Sequence, residues 1–299
     1  MRRVVIDTDP GTDDALALLM ALNCRDLRIE GITTIGGNAS LADTTQNALR
    51  LVDYVSGGRT TPIVAGADRP LCGSFTYAYH IHGAEGLGIE LPATTLMPYR
   101  ADAVDFLRDC ASSNRRRLTV VALGPLTNVA AALDDRPDIA NAIAEIVVMG
   151  GAVQVRGNIT QHAEFNIHED PWSANAVFAS GVPVTLVGLD VTQRTSLHRC
   201  EGPPWFKGTS KSADLGNRIL EDRFRERADV LEFHLHDPLA VAATIEPGIL
   251  TCRRAHVWVV TEGEKRGRTV ASYGDGPVKV AVGVDVERAL EVVRTLISS

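Results

Sequence analysis

Four carboxylates stand within eight residues near the start of the chain: Asp7, Asp9, Asp13 and Asp14 of DTDPGTDD. Acids packed this closely repel one another, and a divalent cation offsets the repulsion. A ligand set made of carboxylate oxygens suits Ca2+ or Mg2+ better than zinc or copper. Helix capping explains part of the cluster, because Asp13 and Asp14 suit the positive end of a helix that starts there. It leaves Asp7 and Asp9 unexplained. An apolar strand followed by Asp7-Thr-Asp9 also fits a Mg2+ phosphatase of the DxD type. Such an enzyme wants a lysine near its phosphate, with further acids downstream. The four lysines are Lys207, Lys211, Lys265 and Lys279, and none precedes an acidic pair at a strand end. Neither GxGxxG after the first strand nor GxxxxGK[ST] anywhere offers a phosphate cradle.

The elements that must position these acids alternate in type. Apolar strands are expected at 4–6, 29–35, 118–123, 143–149, 184–187, 256–260 and 278–284. Helical patterns fall at 13–22, 40–55, 100–111, 126–133, 171–179 and 286–297, and 200–236 reads as mainly helical and more charged. Continuous apolar strands alternating with helices predict one α/β domain over 1–299, with a mostly parallel, Rossmann-like sheet covered on both faces. Ligands of such sheets bind beyond the carboxyl ends of the strands. The polar clusters sit there: Asp7–Asp14, Gly36–Asn38, Gly124–Asn128, Gly150-Gly151 and Asp190.

The chain has 299 residues, 37 acids against 30 bases and a net charge of −7, which is the wrong sign for a general nucleic-acid binder. No run approaches 18 apolar residues, so no membrane partner is expected. Only three apolar residues separate the two leading arginines from Asp7, too few for an export signal. The five cysteines, widely spaced and without CxxC, read as reduced thiols, and the expected location is the cytoplasm.

DTDPGTDDALAL resembles the N-terminal fingerprint of the nucleoside hydrolases, the inosine-uridine preferring nucleoside N-ribohydrolases. Seven further blocks are similar, in the family's order: ITTIGGN, HIHGAEGLG, ALGPLTNVA, VVMGGA, AEFNIHEDP, VGLDVT and HDPLAVA. The resemblance implies the nucleoside hydrolase fold and a homodimer or homotetramer. It implies a Ca2+ held by Asp9, Asp14, the main-chain carbonyl of Leu123 and Asp237. The implied reaction is hydrolysis of a ribonucleoside to ribose and free base through an oxocarbenium-like transition state. In that scheme Asp9 is the general base, taking a proton from a calcium-bound water. Asp13, Asn38, Asn158, Glu164 and Asn166 bind the sugar, and Met149 lines its face.

Two histidines are candidates on the base side, because imidazole can donate near neutral pH. His82 stands at the family's pocket histidine, and His236 precedes the ligand Asp237 and is expected to protonate the leaving base. The chain departs from the pyrimidine-preferring pattern, carrying Phe224 and Ala228 where those members have Tyr and Gln. Phe224 or Trp205 could stack on a base or simply pack. A riboside-binding protein without catalysis remains an alternative beside the phosphatase.

Overall fold

Nine strands form one sheet in the computed structural model, which describes residues 1–56, 61–83 and 85–299. Ala84 of the HIHGAEGLG block lies outside the described residues. Strands β1 (Arg2–Thr8), β2 (Leu27–Thr34), β3 (Ile63–Ala65), β4 (Leu118–Ala122), β5 (Ile143–Met149) and β6 (Val184–Val187) are parallel, in the order β6-β5-β4-β1-β2-β3. A separate antiparallel pair joins β7 (Ser196–His198) to β8 (Glu232–His234). Three late strands, β9 (Leu250–Val259), β10 (Thr269–Tyr273) and β11 (Val278–Val284), extend the sheet beyond β6. Of these β11 pairs parallel to β6, while β9 and β10 are antiparallel to their neighbours.

The alternation of side chains along a strand divides the apolar residues between two cores. Val4, Ile6, Val121, Val147 and Met149 face one, and Val5, Val120, Ile146 and Val148 face the other. Helices Thr12–Asn23, Leu41–Ser56, Lys211–Glu226, His236–Ile245 and Val286–Ser298 cover the first core. Helices Ala103–Ser113, Thr127–Leu133, Pro137–Ala142 and Pro171–Ala179 cover the second. The parallel sheet with helices on both faces is the architecture expected from the sequence. No helix among the described residues is long and apolar enough to cross a membrane.

Several elements differ from the sequence reading. The 200–236 region contains one long helix, Lys211–Glu226, and ends in strand β8, so it is less helical than expected. Strand β9 starts six residues before 256, through a run of exposed residues that carries no apolar signal. The short β3 and the half-exposed β10 were not anticipated, since three residues or a half-solvated strand give little periodicity.

From β1 the chain steps outward through β2 and β3, then returns to β4 on β1's other side. Such a reversal opens a crevice at the carboxyl ends of the strands. Asn128 ties this junction together. Its Nδ2 donates to Asp7 Oδ1 at 2.8 Å and to the Thr34 carbonyl at 3.1 Å, and its Oδ1 accepts from Ala67 N at 2.9 Å. The Asn128→Ala substitution strips a buried carboxylate of a donor and orphans a backbone N–H. We expect a loss of about 3 kcal/mol, read as a lower urea midpoint with an unchanged slope.

Candidate active site

The acids converge where β1 ends. Asp9 follows the strand directly, and Asp13 and Asp14 lie in the first turn of helix Thr12–Asn23. Asp237 lies in the first turn of helix His236–Ile245, which packs against that helix. One carboxylate oxygen from each of Asp13, Asp14 and Asp237 lies within 4.8 Å of the other two. Asp9 is outside this trio. Its Oδ2 accepts from Asn38 N at 2.7 Å, while its Oδ1 is buried and has no partner. Asp14 accepts from Thr8 Oγ1 at 2.5 Å, Gly11 N at 3.0 Å and Asn38 Nδ2 at 2.9 Å. The helix begins one residue before Asp13, and Gly11 is its N-cap.

Two glycines let the backbone close around Asp9. A Cβ on Gly37 would lie 2.1 Å from Asp9 Oδ2, and one on Gly124 would lie 2.6 Å from Oδ1. The cluster's charge is costly in this setting. Burial and repulsion from neighbouring acids, Asp14 foremost, push Asp9 well above the carboxylate range, and burial with repulsion from Asp14, Asp13 and Asp9 does the same to Asp237. Burial and Asp14 push Asp13 up to about 7. Oxygen-only donors, mutual repulsion and an orphaned buried oxygen fit a hard divalent cation.

Above this floor opens a cavity of about 310 Å3. Asp13, Asn38, His82, Leu123, Met149, Asn158, Glu164, Asn166, His236 and Asp237 all line it, whereas Asp9 and Asp14 lie behind its wall. The structure therefore brings the residues assigned to the metal, the sugar and the two histidines to one place, ten of them on the cavity and Asp9 and Asp14 beneath it. Several also hold one another. Asn166 Nδ2 donates to the Leu123 carbonyl at 2.6 Å and lies 3.3 Å from the Met149 carbonyl. A carbonyl has a second lone pair, so Leu123 can still face a ligand. Glu164 is the N-cap of helix Phe165–Glu169, accepting from Asn166 N and Ile167 N, and it also accepts from Gly151 N. Asn158 lies at the exposed rim, where its Oδ1 accepts from Phe165 N at 2.9 Å. Asp190 accepts from the backbone N–H groups of Val153 and Gln154 and stays out of the cavity.

Burial holds His82 and His236 in the neutral form. Thr12 N donates to His82 Nδ1 at 3.1 Å, so the ring proton belongs on Nε2. Burial, with nearby Arg223 and His80, lowers His82 to about 3. His236 Nδ1 pairs with Thr192 Oγ1 at 2.7 Å, and burial, with His234 and His82 beside it, lowers it to about 3 as well. The expectation that imidazole titrates near neutrality gives way here, because burial penalises the charged form.

Phe224 and Trp205 do not reach the cavity. Their rings pack 5.4 Å apart in the core, Trp205 Nε1 donates to the His198 carbonyl at 3.0 Å, and Ala228 is exposed in a turn. Arg223, one residue before Phe224, lines the cavity instead, with Ile81, Phe233 and His234. The sequence does not tell which side of this helix faces inward, so it does not single out Arg223. Helical spacing alone places residues 223 and 224 about 100° apart.

Fold and site together define an α/β protein with an acidic floor beneath a cavity walled by histidines, amides, Glu164 and Arg223. Residues 4–291 match the family described as inosine-uridine preferring nucleoside hydrolase, and the chain belongs to that family. It is 36% identical over 297 residues to the pyrimidine-specific ribonucleoside hydrolase RihA of Escherichia coli, covering 95% of this chain and 94% of the relative. It is 34% identical over 314 residues to uridine nucleosidase 1 of Arabidopsis thaliana, covering 98% of this chain and 92% of that one. A solved plant nucleoside hydrolase superposes with a TM-score of 0.94 at 32% identity, covering 100% and 99% of the two chains. The purine-preferring ribonucleoside hydrolase of Gardnerella vaginalis gives 0.92 at 34% identity, covering 99% and 98%. The protein is thus an enzyme of the nucleoside hydrolase class, and the phosphatase reading is set aside. No lysine lines the described cavity.

Two expectations follow from the floor. A Gly37→Ala substitution drives a methyl into the Asp9 carboxylate, and riboside hydrolysis should fall at least 100-fold with the fold intact by circular dichroism. Asp7 is raised by burial to about 6 and Asp13 to about 7, both from 3.8. The native state therefore holds more protons than the unfolded state between pH 3.8 and 7. Its stability without cation falls as pH rises through that window. His82 and His236, lowered from 6.5 to about 3, act oppositely, losing stability as pH falls below 6.5. Cation binding needs the ionised acids. The rise in Tm on adding Ca2+ to chelator-treated protein should be larger at pH 8 than at pH 5.

Proposed function

We propose that this chain, as one catalytic domain, hydrolyses the N-glycosidic bond of ribonucleosides, with Asp9 as general base. The observation that carries the proposal is the buried, unpartnered Asp9 oxygen beside three converging carboxylates, behind a cavity lined by hydrogen-bonding side chains. Asp9, Asp14, Asp237 and the Leu123 carbonyl would hold Ca2+, with Asp13 alongside. When bound, that ion supplies a Lewis acid that orients vicinal ribose hydroxyls and makes a nearby water more acidic.

The chain's own residues do the rest. A water oxygen bonds C1′ as the C1′–N bond breaks with its electron pair on the base. The water's proton goes to Asp9. The sugar passes through an oxocarbenium-like state. Asp13 and Asn38 hydrogen-bond its hydroxyls, and Asn158, Glu164 and Asn166 take the 3′ and 5′ side. Met149 packs against its face. A ligand lacking a hydroxyl leaves these buried groups unpaired, which favours ribosides over deoxyribosides. His82 offers its Nε2–H toward the base. His236 takes up a proton from solvent as negative charge develops on the base beside it, passes that proton to the base nitrogen and returns to the neutral ring.

Relatives named for opposite base preferences resemble this chain to a similar degree. The residues facing the base, rather than overall similarity, are therefore the ones that set preference. The cytoplasm and a homodimer or homotetramer complete the proposal.

Purine, pyrimidine, deoxy and 5′-modified nucleosides, assayed for reducing sugar with and without chelator, test the proposal. We expect ribose release from ribonucleosides, abolished by chelator and restored by Ca2+. Asp9→Ala should lower kcat by about 10³-fold or more while calorimetry still detects riboside binding. Full turnover by Asp9→Ala would remove the assigned base. Binding without hydrolysis by the wild type would favour a riboside sensor.

A further inference from the structure

Arg223 is the one arginine or lysine among the residues described as lining the cavity. It projects from helix Lys211–Glu226 and is about half buried. Its Nη1 donates to the Ile81 carbonyl at 2.7 Å, which brings it to the short helical segment Tyr79–His82 that also carries His82. No carboxylate pairs with it among the described residues, and the structure gives it no second hydrogen bond. A guanidinium has five N–H donors in a fixed fork, so most of its donors stay uncommitted.

The walls of the cavity divide the substrate. In the reading proposed above, on which this inference rests, the carboxylate floor and the residues following β5 hold the sugar. The base is left facing the third wall, where Arg223, His82, Ile81 and Phe233 come together. The leaving base carries the electron pair of the broken C1′–N bond. Its ring carbonyl oxygens and nitrogens share that charge. His82 is neutral and can only donate a hydrogen bond, whereas a guanidinium is always charged. Apolar Ile81 and Phe233 alongside lower the local dielectric, which strengthens the attraction.

We infer that Arg223 stabilises the negative charge developing on the departing nucleobase, and that it selects bases presenting a carbonyl oxygen or ring nitrogen to that wall. It supplies no proton. The bond cleavage and the proton transfer to Asp9 are those already described. A donor aimed at developing charge in a partly closed site is typically worth about 10²–10³ in kcat.

The test compares leaving groups. Wild type, Arg223→Lys and Arg223→Gln are assayed on uridine, on inosine and on p-nitrophenyl ribofuranoside, whose leaving group departs without help. Arg223→Gln should lose about 10²-fold or more in kcat on the two nucleosides and under about 5-fold on the nitrophenyl riboside. Arg223→Lys, which keeps the charge but not the fork, should recover part of the loss. Equal losses of Gln and Lys variants on all three substrates would overturn the inference, reducing Arg223 to a strut for Ile81. Equal nucleoside losses in both variants, with the nitrophenyl riboside spared, would also overturn it, because charge would then not be the agent. A wild type inactive on every riboside overturns the proposed reaction itself. Wild-type turnover with unaffected variants overturns only the part given to Arg223.

Discussion

Asp7, Asp9, Asp14 and Asp237 are buried, and Asp13 half-buried, at one end of the sheet without an ion pair to any arginine or lysine among the described residues. Burying charge without a partner is expensive enough to dictate what surrounds it. Thr8, Thr33, Asn38 and Asn128 spend their side-chain donors on these acids. Helices Thr12–Asn23 and His236–Ile245 direct their positive ends toward the same spot. Gly37 and Gly124 leave no side chain where the backbone meets Asp9. What these devices leave uncompensated is the repulsion between acids, and that remainder gives the site its demand for a divalent cation.

The rest of the cavity obeys the opposite rule. Its His82 and His236 are kept neutral by burial, and its polar side chains are held by backbone groups before they meet any ligand. Glu164 is both a helix cap and a cavity wall, so its orientation is fixed by three backbone N–H groups. Preorganisation of this kind lets hydrogen-bond donors and acceptors act without rearranging during the reaction. An acidic floor beneath prearranged hydrogen-bonding walls suits an uncharged ligand with several hydroxyls better than a phosphorylated one, whose charge the floor repels.

Most of the site was legible because its residues sit where strands end, and strand ends can be read from apolar runs. Asp9, Asn38, Leu123 and Met149 each follow or close such a run, and all meet at the crevice. What escaped was decided by rotation and by distance. Arg223 and Phe224 are neighbours on one helix, yet one lines the cavity and the other packs on Trp205. The charged pattern of that helix does not say which flank meets which partner. Strand β9 escaped because its first half is exposed and is held by backbone pairing with β11, which leaves no mark on side-chain chemistry. The tautomer of His82 is set by Thr12, 70 positions away, and no local pattern encodes that contact.

Helix Thr12–Asn23 is apolar on nearly all sides, with nine of its residues buried. The helices packed around it are Leu41–Ser56, Lys211–Glu226, His236–Ile245 and Val286–Ser298. Three of these four lie beyond residue 210. During synthesis the helix is therefore made long before most of its cover exists, and the acids at its head wait equally long for Asp237. Contacts this distant in sequence are slow to form and leave apolar surface open meanwhile. The acidic floor is then among the last parts of the molecule to be completed, and an unfinished chain carries a sticky helix but no closed site.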